Sequence, residues 1–317
     1  MLAYPGMQLL DAAGPLQVFA SVNDLLVGRQ RGDVRPYEPH VVAAGGGMVD
    51  TSSGLGLAVR PLPRSGVPVD TVFVPGGPGV DAAAMDPALV RWVRRRSGQA
   101  CRVASVCTGA FLLGAAGLLD QRRATTHWSF CKELSQRFPH AHVESDPIFV
   151  RDGKVWTSAG VTAGIDLALA LVEEDLGREI ALAAARLLVV FLKRPGGQAQ
   201  FSTALSLQTT EERFGPLHQW MARHLADDLS LSVLADRAGM SERNFSRRYV
   251  EATGLTPMRA VEQLRAEAAR QLLSETRQPV KRIAQRCGFG TEETMRRSFL
   301  RLLSITPQDY RRRFSLR

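Results

Sequence analysis

Cys107 is the residue whose type and setting most directly suggest chemistry. It lies in Val103-Ala-Ser-Val-Cys-Thr-Gly-Ala-Phe-Leu-Leu-Gly114, where an apolar strand gives way to a helix. That is the setting of a nucleophile elbow, in which a side chain sits exposed on a sharp turn. The N-terminus of a helix favours thiolate over thiol, so the position predicts a lowered cysteine pKa. Upstream, Val74-Pro-Gly-Gly-Pro-Gly79 follows another strand. With so little side-chain bulk, the amides of Gly76 and Gly77 are candidates to face an anion or a substrate oxygen. His127, in Thr125-Thr-His-Trp128, lies twenty residues beyond the cysteine and is a candidate to return to the same rim. Asp11, Gly76, Gly77, Cys107 and His127 are therefore candidate ligand-binding residues, with Cys107 the candidate nucleophile. A plainer reading stands beside this one: Cys107 as a small side chain packed in a tight turn, Asp11 as a helix cap before Ala12.

A second set of candidates occupies the last third, from Leu229 to Phe314, where one helical pattern occurs twice. Each copy opens with a short helix whose apolar residues are three apart, Leu231 and Leu234 or Val280 and Ile283. A glycine able to turn the chain at positive φ follows, Gly239 or Gly288. The second helix of each copy starts at a capping residue, Ser241 or Thr291, with Asn244 or Thr294 three positions on. Helix, glycine turn and capped helix make a helix-turn-helix, whose second helix enters the DNA major groove. Phe245, Tyr249, Met295 and Phe299 keep helical spacing on the buried side. The outward side presents Arg243, Ser246 and Arg247 in one copy, and Glu292, Glu293, Arg296 and Arg297 in the other. Arg247 and Arg297 are the residues expected to reach base edges or nearby phosphates. The competing reading is a plain helical bundle with a solvated face, which would usually pair Glu with Lys.

Gly288-Phe289-Gly290, Arg296-Arg297-Ser298-Phe299 and Thr306-Pro307-Gln308-Asp309-Tyr310-Arg311 resemble the second half of an AraC-type DNA-binding domain, and Thr256-Pro257 echoes that ending after the first copy. The resemblance implies a transcription factor with two reading helices joined by a linker helix, here Pro257 to Ser274, with Val261, Leu264, Ala268 and Leu272 as its apolar face. Further upstream, Ser105-Val-Cys-Thr-Gly109 and Ala124-Thr-Thr-His-Trp128 resemble the class I glutamine amidotransferase-like superfamily, in its PfpI and isocyanide hydratase branch, over Leu2 to Leu192. By that likeness Cys107 holds the nucleophile position, Asp11 is the acid that contacts it, and Gly77 belongs to an amide pocket. Pairing Asp11 with Cys107 and Thr108 is similar to isocyanide hydratase, and that likeness adds Thr108 to the candidate ligand-binding residues. PfpI-type peptidases carry His directly after the cysteine, where this chain has Thr108, and Gly160 to Asp166 supplies no His-x-Glu pair of the glutaminase kind. Amide hydrolysis is therefore poorly supported.

The elements that must position these residues follow from alternation. Apolar strands are expected at His40 to Ala44, Leu57 to Val59, Thr71 to Val74 and Arg102 to Val106, and helices at Pro87 to Arg96, Ala110 to Ala116 and Ser129 to Phe138. A hairpin turned by Asp152-Gly153 joins Ile148–Arg151 to Val155–Thr157, and helices at Thr162 to Glu174 and Arg178 to Phe191 close the domain. Leu9 to Phe19 reads as a loop delivering Asp11 and then a helix. Only Leu2 and Ala3 precede the Tyr4-Pro5-Gly6 turn as strand, so Met1 is a candidate for a miscalled start or a truncation. The pattern predicts an α/β doubly wound, flavodoxin-like sheet domain followed by an all-α domain with two helix-turn-helix units. Its boundaries are 1–192, a linker at 193–215 containing Pro195-Gly196-Gly197, and 216–317.

Charge agrees with that division. From Pro216 onward there are 19 Lys plus Arg against 11 Asp plus Glu, a net +8, whereas residues 1–215 hold 21 against 20, a net +1. The basic half is the one that counterion release from DNA would require. No run approaches the roughly 20 apolar residues of a membrane span, and no leader pattern opens the chain, so the expected location is the cytoplasm, without a membrane partner. Cys101, Cys107, Cys131 and Cys287 are widely spaced, and His140 and His142 stand apart from them, so no metal site, disulfide framework or cofactor is expected.

The joining of the two domains, with Pro195 to Phe201 at the junction, resembles GlxA-type regulators. That resemblance implies double-stranded operator DNA, a small and often nitrogenous effector, RNA polymerase and a second copy of the chain as partners, with activation as the usual outcome and no catalysis. Two other readings remain open: a working cysteine enzyme of isocyanide hydratase type with DNA binding as autoregulation, and a redox sensor in which Cys107 is oxidised.

Overall fold

The computed structural model describes residues 1–29, 35–63, 66–192, 198, 214–303 and 305–314. The chain divides into two compact units, Met1–Arg194 and Pro195–Arg317. Most of the expected linker, including Pro195-Gly196-Gly197 and the polar stretch from Ser202 to Glu212, lies outside the described residues.

The first unit is a flavodoxin-like α/β fold. Strands β4 (Thr71–Val74), β5 (Arg102–Ser105), β9 (Val155–Ser158) and β8 (Phe149–Asp152) are neighbours in that order. The first three run parallel, and β8 joins β9 antiparallel through the Asp152-Gly153 turn. Side chains alternate across this sheet with period two. Val72, Val74, Val103 and Val155 face one core, with Leu89, Trp92 and Phe111 of α3 (Pro87–Gln99) and α4 (Gly109–Ala115). Phe73, Ala104 and Trp156 face a second core, with Val18 and Phe19 of α1 (Leu9–Arg29) and Leu167 and Leu171 of α6 (Ala163–Leu176). Burial on both faces is why these strands read as continuous apolar runs.

Met1–Ala3 contributes more than a clipped strand would suggest. Leu2 bridges Val42 in parallel, its amide donates to Phe73 O at 2.8 Å, and the amide of Ala3 donates to Val42 O at 2.8 Å. These few residues thereby join β1 (Val42–Ala43), with β3 (Gly56–Pro61) and β2 (Gly47–Asp50), to the main sheet. Strand β2, the short helix α2 (Val80–Met85), and the two-residue strands β6 (Arg123–Ala124) and β7 (His142–Val143) have no counterpart among the elements expected from alternation. Elements this short leave no periodicity to read. The expected helix from Ser129 to Phe138 divides into a 3-10 turn at Trp128–Phe130 and α5 (Cys131–Arg137), and α7 (Arg178–Leu187) stops short of Phe191.

The second unit is helical: α8 (Gly215–Arg223), α9 (Leu231–Arg237), α10 (Glu242–Thr253), α11 (Pro257–Glu275), α12 (Val280–Arg286), α13 (Glu292–Leu303) and α14 (Pro307–Phe314). Leu234, Phe245 and Tyr249 build one core with Phe214; Ile283, Met295 and Phe299 build another with Tyr310. The linker helix α11 serves both, which corrects its expected apolar face. Ala260 and Val261 enter the first core and Ala266, Ala269 and Leu273 the second, while Leu264, Ala268 and Leu272 are only partly buried. A helix shared by two cores buries two offset faces rather than one stripe. Among the described residues no helix is long and apolar enough to cross a membrane.

Candidate functional site

Cys107 follows β5 directly and has φ 55°, an uncommon value for a residue with a side chain. Its amide donates to Ala159 O at 3.0 Å and its carbonyl accepts from Thr126 Oγ1 at 2.7 Å, so neighbouring segments hold the turn from both sides. The side chain is not exposed as an elbow nucleophile would be: Cys107 is 7% exposed. The thiol is also shifted upward rather than downward. Burial pushes it up to about 11, the Asp11 carboxylate adds to the rise, and amides of Val161 and Thr108 only partly oppose it. The helix-end argument is overridden because desolvating a thiolate costs more than the first turn of a short helix returns.

Asp11 also departs from expectation. It lies in the first turn of α1 rather than in a loop before the helix. It is fully buried, and one oxygen, Oδ2, accepts from the Gly76 amide at 2.9 Å. The other, Oδ1, is a buried atom without a hydrogen-bond partner among the described residues. Burial raises this carboxyl to about 7, against the pull of the Gly76 amide. The Gly77 amide donates to Thr108 Oγ1 at 2.9 Å. Both loop amides expected to face a ligand oxygen are thus engaged within the chain, and Thr108, standing where a peptidase has His, accepts one of them. The glycines matter here through closeness. A Cβ on Gly76 would fall 2.5 Å from the Thr108 amide, and one on Gly77 would fall 2.3 Å from the Gln8 amide.

His127 packs its ring against Gly160, where an added Cβ would meet His127 Cδ2 at 2.1 Å, and its Nδ1 lies 2.7 Å from Ser129 Oγ. It is Thr126, one residue earlier, that bonds Cys107. Two further residues were not legible as site members. Tyr4, marked in the sequence only as the start of a turn, donates its hydroxyl to Pro75 O and is held above its ordinary pKa by burial and by the charges of Asp11 and Cys107. Val161, whose amide faces Cys107, has φ 44°, a strained value for a β-branched residue. An open cleft of about 440 Å³, lined by Asp70, Cys101, Arg102, Arg151 and Glu174, lies at the opposite end of β5 and shares no residue with this cluster.

In the helical unit, Gly239 and Gly288 turn at φ 64° and 77° between the helices of each pair. Gly288 has a second constraint, since a Cβ there would sit 1.8 Å from Leu225 O. Ser241 stands at the N-cap position of α10 with no side-chain bond, whereas Thr291 Oγ1 accepts from the Thr294 amide at 3.1 Å. Arg243, Arg247, Glu292, Glu293, Arg296 and Arg297 are exposed, and Ser246 is half-buried. Arg247 reaches Glu251 at 3.5 Å and Asn244 at 3.4 Å. Glu293 binds Arg296 at 2.8 and 3.0 Å and Arg297 at 2.9 Å.

An α/β unit with a buried cysteine, joined to paired helix-turn-helix units that expose arginines, defines a DNA-binding regulator. Comparison with known proteins makes the class specific. Residues 1–174 match the DJ-1/PfpI family and residues 234–313 match a helix-turn-helix domain. The HTH-type transcriptional regulator GlxA of Rhizobium meliloti is 32% identical over 97% of this chain and 92% of its own length. The isonitrile hydratase of Pseudomonas putida is 38% identical, over 57% of this chain and 72% of its own length. A THiJ/PfpI family protein from Pseudomonas syringae superposes with TM-score 0.54 at 31% identity, over 65% of this chain and 82% of that one. The chain belongs to the DJ-1/PfpI family and carries an AraC-type helix-turn-helix domain; it is an HTH-type transcriptional regulator of the GlxA kind.

Proposed function

We propose that this regulator is a non-catalytic, effector-responsive activator. A small metabolite that donates an N–H or O–H group, a nitrogenous one by preference, binds beside Asp11 and Cys107 and changes how the α10 and α13 helices of a homodimer engage operator DNA and favour RNA polymerase. The observation that carries the reading is Asp11, a fully buried carboxyl whose Oδ1 has no partner among the described residues. Such an atom costs about 1–3 kcal/mol unless something supplies a donor. The absence of catalysis rests on the thiol, raised to about 11, and on the Gly76 and Gly77 amides, which are already bonded. On this reading Gly76, Gly77, Thr108 and His127 shape the pocket wall. Residues 1–192 form the sensor, 193–215 the connection and 216–317 the DNA module.

The test is reporter transcription across a panel of nitrogenous metabolites. Induction should survive Cys107→Ala and be lost in Asp11→Asn while operator binding persists in both. Induction lost in Cys107→Ala with operator binding intact would instead favour cysteine chemistry, as a hydratase or a redox sensor. Scattering that shows a monomer with and without DNA would remove the dimer.

A further inference from the structure

The two reading helices are built alike and charged differently. Over its first seven residues α10 carries three arginines and one glutamate, a net +2, whereas α13 carries two of each and is neutral. In α10, Arg243 and Arg248 make no ion pair among the described residues, and Arg247 has only its two distant contacts. In α13 a single carboxylate, Glu293, takes Nε and Nη2 of Arg296 and Nε of Arg297. Hydrogen bonds from those two arginines hold Glu293 down to about 2, so it stays charged throughout the working pH range. Arg301, a turn further on, is bonded to Glu262 of the linker helix and adds no free charge.

An exposed ion pair contributes little to stability, so the arrangement calls for another use. A carboxylate on the outward face repels phosphate, which denies α13 the sequence-independent hold on which α10 can rely. Glu293 also fixes the direction of two guanidinium forks that would otherwise be free to turn, so less order is lost when one of them meets a base. In the major groove an arginine fork matches guanine O6 and N7, and a carboxylate matches the amino group of cytosine. Arg297 and Glu293 together present both halves.

Resting on the reading of α10 and α13 as the DNA-contacting helices, we infer that Glu293 is a specificity-determining residue. It keeps α13 from holding DNA by charge alone and makes it demand G·C pairs that offer guanine to Arg297 and a cytosine amino group to the carboxylate. The first helix-turn-helix supplies affinity, and the second supplies discrimination.

The experiment is selection of binding sites from a random-sequence duplex library by the full chain, wild type and Glu293→Gln, with the salt dependence of binding to a mixed-sequence duplex measured alongside. Glu293 is exposed, so the substitution leaves both cores untouched. The expected result for Glu293→Gln is about tenfold tighter binding to the mixed duplex and a salt slope steeper by about one phosphate. Preference at one or two G·C positions should fall about tenfold at the same time. If the variant enriches the same site with the same stringency, the assignment of Glu293 is wrong, whether or not non-specific binding tightens. If the wild type enriches no sequence at all, the DNA-reading role of these helices falls together with it.

Discussion

The two units of this chain handle polar groups in opposite ways. Around Cys107 they are buried, bonded to backbone and shifted from their ordinary pKa values, with Asp11 and Cys107 both raised by desolvation. On α10 and α13 they are exposed and paired mainly with each other. A buried group that is hard to ionise responds to whatever enters beside it, and suits sensing. An exposed arginine costs the fold little and remains available to an external phosphate or base. The DJ-1/PfpI scaffold keeps its tight turn here with Cys107 at φ 55° and buried.

The largest expected losses are at glycines packed against backbone carbonyls, one in each unit. Gly109→Ala would drive a Cβ to 2.3 Å from Val74 O, and Gly288→Ala one to 1.8 Å from Leu225 O. Each should cost about 3–5 kcal/mol, read by chemical denaturation, and each should act on its own unit. Wild-type stability in Gly109→Ala or in Gly288→Ala would show that these close approaches have no energetic weight.

Next in size is the pH response. The Asp11 carboxyl moves from an ordinary 3.8 to about 7 on folding. The unfolded chain therefore releases this proton first, and the Asp11 contribution, fully present below about pH 4, is lost as pH rises through 7. Asp11→Asn should remove a fall on the order of 3 kcal/mol between those limits. A denaturation series from pH 4 to 8 that is parallel for wild type and variant would contradict the buried, protonatable Asp11. Exposed Glu293 should leave no comparable trace.

Much of this arrangement was legible in the sequence, and the remainder shares a physical reason for being hidden. The α/β alternation, the Asp152-Gly153 hairpin, the paired helix-glycine-helix pattern and the buried Phe245, Tyr249, Met295 and Phe299 all follow from local periodicity and turn chemistry. What the sequence misplaced depends on contacts between distant segments. The Gly76 amide is taken by a carboxylate 65 residues away, and the Cys107 carbonyl by a hydroxyl 19 residues away. The linker helix serves two cores. The thiol pKa is set by burial, which a lone strand-to-helix turn does not reveal.

Smaller effects separate the two helix-turn-helix units. Arg247→Ala and Arg297→Ala should each weaken operator binding by about 1–3 kcal/mol and leave stability nearly unchanged. Thr291→Ala should destabilise the helical unit by about 1 kcal/mol because its hydroxyl caps α13, whereas Ser241→Ala should cost almost nothing. Equal losses at the two caps would show that the difference between the turns has no energetic weight.

The most direct test of the account is a hydroxyl-radical footprint of the full chain on its operator, repeated with Arg247→Ala and Arg297→Ala. For the proposed homodimer the expected footprint is two protected segments in each half-site, about one helical turn apart on one face of the duplex, with each variant clearing a different segment of the pair. A single protected segment that both variants leave unchanged would contradict the claim that α10 and α13 read DNA.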